Sequence, residues 1–186
     1  FPARVSAQPV YASLTPVRLA DTRAGWAAAD GLFVGTGPVA AGQFVQVPVA
    51  GRAGVPADAK AVVVNVTSVG PEGGGYLTVF PCGTLPSTSS VNYAAGEDVA
   101  SEVIAKLSPT GAICVFTYAT ANIIVDVAGY VPAGSDYVGL DPVRLADTRA
   151  GWVAADGLFV GTGPVAGGQI VQVPVAGRGG VPVDAT

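Results

Sequence analysis

Arg18, Asp21 and Arg23 lie together in the stretch RLADTR, and the same three side chains recur as Arg144, Asp147 and Arg149. A carboxylate between two guanidiniums supports either of two chemistries. The arginines can stay free to clamp an anion or a sugar, or the carboxylate can take them bidentately and pin the chain. In an extended strand Arg18, Ala20 and Thr22 share one face, while Leu19, Asp21 and Arg23 share the other. Asp21 is therefore placed to pair with Arg23 or with an arginine of a neighbouring strand. The flanking residues are apolar and only 12% of the chain is charged. We accordingly read these six residues as structural ion pairs rather than as a ligand clamp. Trp26 follows in DTRAGW and its twin Trp152 recurs. Each suits a surface platform for a sugar or a loop anchored in the core.

The rest of the chain offers little else that reacts. It contains no histidine, which removes Ser-His-Asp and Cys-His catalysis and the commonest zinc ligand. No phosphate-binding loop, dinucleotide fingerprint, nucleophile elbow or calcium loop is present. Glu72, Glu97, Asp98 and Glu102 are the candidates for a glycosidase-type carboxylate pair. Glu97 and Asp98 sit in a turn-like AGED, the signature of a solvated loop. Asn65, Asn92 and Asp126 lie inside apolar stretches and are expected to bond to backbone across turns. No metal site, no cofactor and no enzymatic activity are expected. Most of the remaining aromatics, including Phe33, Tyr76, Phe80, Tyr93, Phe116, Tyr118 and Tyr130, are expected in the core.

The elements that must hold these residues read as strands. Half of the 186 residues are hydrophobic, enough to bury a sizeable core. Val45, Val47 and Val49 share one face of FVQVPVAG, and Val62, Val64 and Val66 share one face of AVVVNVTSV. GYLTVFPCG, SEVIAKLSPTGAICVFTYA and NIIVDVAGYV follow, with SPTG at 108–111 as a hairpin turn. No stretch shows a capped helical period. The expected fold is all-β, a β-sandwich of about eight or nine strands, with a closed barrel or trefoil as the alternative.

Charge and cysteines bound the setting. The net charge of −4 contains no run of Lys or Arg, which argues against a nucleic-acid partner. No apolar segment reaches the roughly 18–20 residues of a membrane-spanning helix. Phe1 is not a translation start, and VSA at 5–7 would suit a signal-peptidase site although no apolar region precedes it. Cys82 and Cys114 are the two cysteines. An even pair in a secretory-looking chain points to a disulfide, with buried thiols as the alternative.

Aligning Pro16 with Pro142 gives an offset of 126 residues. Between 16–60 and 142–186 only positions 27, 41, 44, 53, 57 and 60 differ, leaving 39 of 45 identical. Tyr11 and Leu14 also match Tyr137 and Leu140. The period is that of a whole domain rather than a solenoid unit. We divide the chain into an N-terminal extension (1–9), a complete β-domain repeat (10–135), and a junction with a partial second repeat (136–186). A 45-residue piece of a sandwich cannot bury its apolar face alone. It can pack on the first unit, continue into further chain, or fill a neighbouring subunit head-to-tail. The last leads us to expect a homo-oligomer or filament formed through 136–186.

PVRLADTR, VPVAGRAGVPADAKAVVVNVT, GYLTVFPCG, SSVNYAAGEDVASEVIAKL and IIVDVAGYV occur in that order over nearly all of 16–131. Together they resemble a tandem repeat domain of secreted and cell-surface proteins from actinobacteria and related bacteria. The resemblance implies an extracellular or cell-surface all-β module without assigned catalytic residues. The expected function is a structural repeat of a surface layer, stalk or self-assembling filament. The alternative is a carbohydrate-binding or adhesion module that holds polysaccharide through Trp26.

Overall fold

The computed structural model describes residues 9–185. The N-terminal extension read over 1–9, with its VSA stretch, lies outside these residues except for Pro9. Eight strands form: β1 (Ala12–Asp21), β2 (Phe44–Pro48), β3 (Ala61–Val69), β4 (Gly75–Pro81), β5 (Val91–Tyr93), β6 (Val99–Lys106), β7 (Ala112–Thr117) and β8 (Asn122–Val131). They build two antiparallel four-stranded sheets in the orders β1-β8-β3-β6 and β2-β7-β4-β5. The fold is a β-sandwich, and no helix forms among the described residues.

Period-2 alternation fills the space between the sheets. Val62, Val64 and Val66 of β3 meet Val47, Leu77, Val79, Ile113, Val115, Ile123, Val125 and Val127, all buried. At roughly 1.5–3 kcal/mol for each buried aliphatic side chain, this row supplies most of the driving force. Only β4 and β5 are both consecutive and paired; every other connection crosses between the sheets. SPTG makes the expected turn, with Gly111 N–H donating to Ser108 O at 2.8 Å. It is not a hairpin, however, because β6 and β7 belong to opposite sheets.

The edge strand β1 departs from simple alternation. Its pairing with β8 shifts between Ser13 and Val17 and again between Arg18 and Ala20. Pro16, which has no N–H to give a ladder, lies in the first shift. The second changes the phase of the strand, so Leu19, Ala20, Asp21 and Thr22 are all buried. The strict two-face reading of RLADTR therefore fails at this bulge.

The chain divides into two compact units. One runs to Leu85 and from Ser89 to Gly139 and contains the sandwich; the other is Leu140–Thr186 with Pro86–Thr88. The second unit repeats the local hydrogen bonds of its twin segment but forms none of its strands. Asp147 N–H donates to Phe159 O at 3.0 Å, as Asp21 N–H does to Phe33 O at 2.9 Å. Gly163 N–H donates to Thr148 O at 2.8 Å, as Gly37 N–H does to Thr22 O. In the first unit the remaining bonds of this segment come mainly from β8, β7 and the residues beside them, such as Gly111 and Ala121, which an isolated strand cannot replace.

Candidate functional site

The bulge in β1 brings the predicted ionic residues to one point. Asp21, fully buried, accepts Arg23 Nε at 2.9 Å and Arg23 Nη2 at 2.7 Å in a bidentate pair. Arg23 N–H adds a bond of 3.1 Å and Arg18 Nη1 one of 2.9 Å. Arg18 then reaches across to β8, donating from Nε to Asp126 Oδ1 at 2.9 Å and from Nη2 to Asp126 Oδ2 at 3.3 Å. Asp126 thus bonds to a side chain, not to backbone across a turn as its sequence context suggested. Its register neighbour on β3 is Asn65, whose own neighbour on β6 is Glu102.

Burial alone would push the Asp21 carboxyl up. The hydrogen bonds of the Arg23 guanidinium and backbone, with the charges of Arg23 and Arg18, outweigh it and hold the carboxyl below its ordinary 3.8. A carboxylate so saturated has no lone pair left to act as a general base, and it is not held protonated to act as an acid. The Nε, Nη1 and Nη2 atoms of Arg18 are all engaged on carboxylates, as are Nε and Nη2 of Arg23. An incoming anion would have to displace them.

Trp26 closes the cluster. The residue is 53% exposed, with the Arg23 guanidinium 3.9 Å from the ring centroid and that of Arg18 at 5.9 Å. Stacking by Arg23 occupies one ring face. The second copy repeats the arrangement. Arg149 takes Asp147 through bonds of 2.9 and 2.7 Å, and its guanidinium lies 4.0 Å from the Trp152 centroid. The Arg149 bond is the largest cause holding the Asp147 carboxyl down to about 2. Arg144 approaches Asp147 at 3.0 Å but has no counterpart of Asp126.

A second ionic staple escaped the sequence reading. Arg52 is bidentate on Asp30, at 2.7 Å from Nε and 2.8 Å from Nη2. It also donates to Pro48 O at 2.6 Å and Leu19 O at 3.0 Å, tying the loop after β1 to the ends of β1 and β2. The Arg52 bond is the main cause holding the Asp30 carboxyl at about 2. Arg178 repeats every one of these bonds on Asp156, Pro174 and Leu145. The available signal was that both partners survive in each copy of a charge-poor segment.

The other candidates scatter. Glu72, Glu97, Asp98 and Glu102 are exposed, and Asp98 accepts Gly70 N–H at 2.8 Å in a loop. No group of three metal-ligating side chains occurs among the described residues. Cys82 and Cys114 form a disulfide with Cα atoms 5.0 Å apart. It joins Tyr76, Phe80 and Phe116 in a small apolar cluster separate from the main core. Phe80, Tyr93 and Phe116 are buried as expected, and Phe33 and Tyr130 pack against the main core, while Tyr118 is exposed. Leu77 and Val79 take the inward positions of β4, so Tyr76 and Phe80 turn to the opposite face. Tyr93 belongs to the main core, its hydroxyl 2.9 Å from Thr117 Oγ1. Comparison of the chain with family models, with curated proteins and with solved structures found no match.

Proposed function

We propose that this chain is a non-catalytic, extracellular structural repeat protein of a cell-surface layer, stalk or self-assembling filament, joined head-to-tail through residues 136–186. The disulfide supports an oxidising, extracellular setting. One observation carries the assembly reading. Val49 is fully buried in the first copy while its twin Val175 is 48% exposed, and Ile170 is 92% exposed where its twin Phe44 is 55% exposed. A segment that buries its apolar side chains less in one copy than in the other has surface to give to an interface. Light scattering and negative-stain microscopy of the whole chain and of a chain lacking 136–186 test this. Oligomers or fibres that disappear with the deletion support the joint; oligomers that persist unchanged overturn it.

A second reading rests on Trp26, which is half-exposed with the Arg23 guanidinium stacked on its ring. Here the module holds polysaccharide on Trp26 and Trp152. A glycan screen of the parent chain and of Trp26→Ala decides between the two: binding by the parent that is lost in the variant supports the platform, whereas binding retained in the variant, or no binding by the parent, removes it.

A further inference from the structure

The place that β1, β2 and the adjoining Val49 hold on the sandwich fits a second occupant, and we infer that residues 138–175 are that occupant. The inference rests on the tandem-repeat reading proposed above and gives it a surface and a register. The receiving surface is the edge of β8 that β1 covers, with Ile123, Val125, Asp126 and Val127, together with the edge of β7 that pairs with Phe44–Pro48. Three observations carry it.

The first is complementarity. All side chains that the first copy buries against this surface are unchanged in the second: Leu19 is Leu145, Val47 is Val173, and Val49 is Val175. None of the six differing positions belongs to the buried core; five are exposed and Ala53 is half-buried. The differences also pull in opposite directions. Lys60 Nζ donates to Ser135 O at 2.7 Å and Phe44 lies edge-on to Phe80 at 6.2 Å, and the second copy has neither side chain to offer. Ala53, in contrast, sits at φ 48°, a left-handed conformation that costs a side chain and suits its replacement Gly179.

The second is placement. β1 runs antiparallel to β8 and starts there, with Ala12 opposite Tyr130. The chain turns immediately after β8, where Ser135 N–H donates to Pro132 O at 3.1 Å. Tyr137 then lines the same groove of about 320 Å³ as its twin Tyr11, beside Val131 and Ile104. The two copies thus begin at the same end of β8. Residues 132–137 make a short link of six residues from β8 to Val138, the twin of Ala12.

The third is an unmet polar group. Arg18 engages Asp126 on β8. Arg144 lacks that second carboxylate, and its buried Nη1, although 3.0 Å from Asp147 Oδ2, makes no hydrogen bond. An aspartate at the register of Asp126 would take Arg144 Nε and Nη2, the atoms that Arg18 gives to Asp126, and so hold the guanidinium where Nη1 can bond Asp147 as Arg18 Nη1 bonds Asp21. Exchange therefore seats the second copy's Leu145, Val173 and Val175 where the identical side chains of the first had been. The buried core is the same for either copy, and the first is favoured by contacts outside it, the Lys60 bond to Ser135 and the Phe44–Phe80 edge contact.

The test uses the full chain with Leu19→Asp, Leu145→Asp and both together. Each aspartate occupies a core position and bars its own copy from the receiving surface. Hydrogen exchange is read on the 44–48 and 170–174 peptides, which Phe44 and Ile170 make separable by mass. In Leu19→Asp we expect a cooperative unfolding transition to remain. Protection should fall by at least about a hundredfold at 44–48 and appear at 170–174. Leu145→Asp should behave as the parent chain, and the double variant should lose the transition. If Leu19→Asp is as unfolded as the double variant, or 170–174 stays unprotected in it, the inference is overturned. Light scattering on Leu19→Asp separates exchange within one chain, a monomer, from exchange between chains, an oligomer. Either supports the inference, and only the oligomer supports the head-to-tail joint. Polymers that vanish on deleting 136–186 beside an unfolded Leu19→Asp would keep the joint and reject the exchange.

Discussion

Asp21 carries four hydrogen bonds on two buried oxygens, and this saturation determines how acid acts on the fold. Its carboxyl titrates below its unfolded value, as do those of Asp30, Asp147 and Asp156, the last three at about 2. A lowered folded value contributes stability that is fully present above the unfolded value of about 3.9 and is lost as pH falls through the folded one. With no histidine and no free cysteine, little titrates between about pH 5 and 8. Urea midpoints should therefore be flat from about pH 8 to 5 and drop between about pH 4 and 2; a midpoint that falls already between about pH 7 and 5 contradicts this assignment. The Arg–Asp chemistry was legible in RLADTR because few charged residues compete for partners. The third partner, Asp126, was not legible, since only the β1–β8 register places it opposite Arg18. Nor was the role of Gly129 in AGY. The Tyr11 ring lies against its Cα, so any Cβ there would overlap the ring.

At the level of elements, alternation in the sequence identified the strands well, because each has one face in a common core. Their division between two sheets was hidden. A turn such as SPTG reverses the chain equally in a hairpin and in a crossing between sheets, and only the partner strands distinguish the two. The aromatic cluster on β4 and β7 was hidden for a related reason. Phe80 and Phe116 alternate with core residues, and the sequence does not say that the outward face is also covered. The disulfide sits in that cluster and closes a separation of 32 residues between the end of β4 and β7. Loop-closure entropy puts its contribution on the order of 3–4 kcal/mol. Cys82→Ser with Cys114→Ser should lower the melting temperature by roughly 10–15 °C without changing the far-UV spectrum. A change of only one or two degrees would mean that the Phe80 and Phe116 packing already fixes this region.

For the whole molecule, the two copies of one segment separate what is local from what is borrowed. The Arg–Asp staples and the turn bonds form in both, since their partners lie within the segment. The strands form only where β7 and β8 are paired with them. The unit from Leu140 onward therefore has hydrogen-bonded turns but little cooperative core, with Val175, Val183 and Ile170 open to solvent. This predicts how the chain melts. At about 0.7 kcal/mol per residue, a sandwich of roughly 130 residues absorbs about 90 kcal/mol near 60 °C, whereas uniform folding of the whole chain would absorb about 130. Calorimetry on dilute protein should give one transition near the lower figure, and removing 140–186 should leave its enthalpy almost unchanged. An enthalpy that falls in proportion to the residues removed would mean that the second copy is as fully packed as the first. It would then have no apolar surface left for a neighbour, and the head-to-tail joint would have to lie elsewhere.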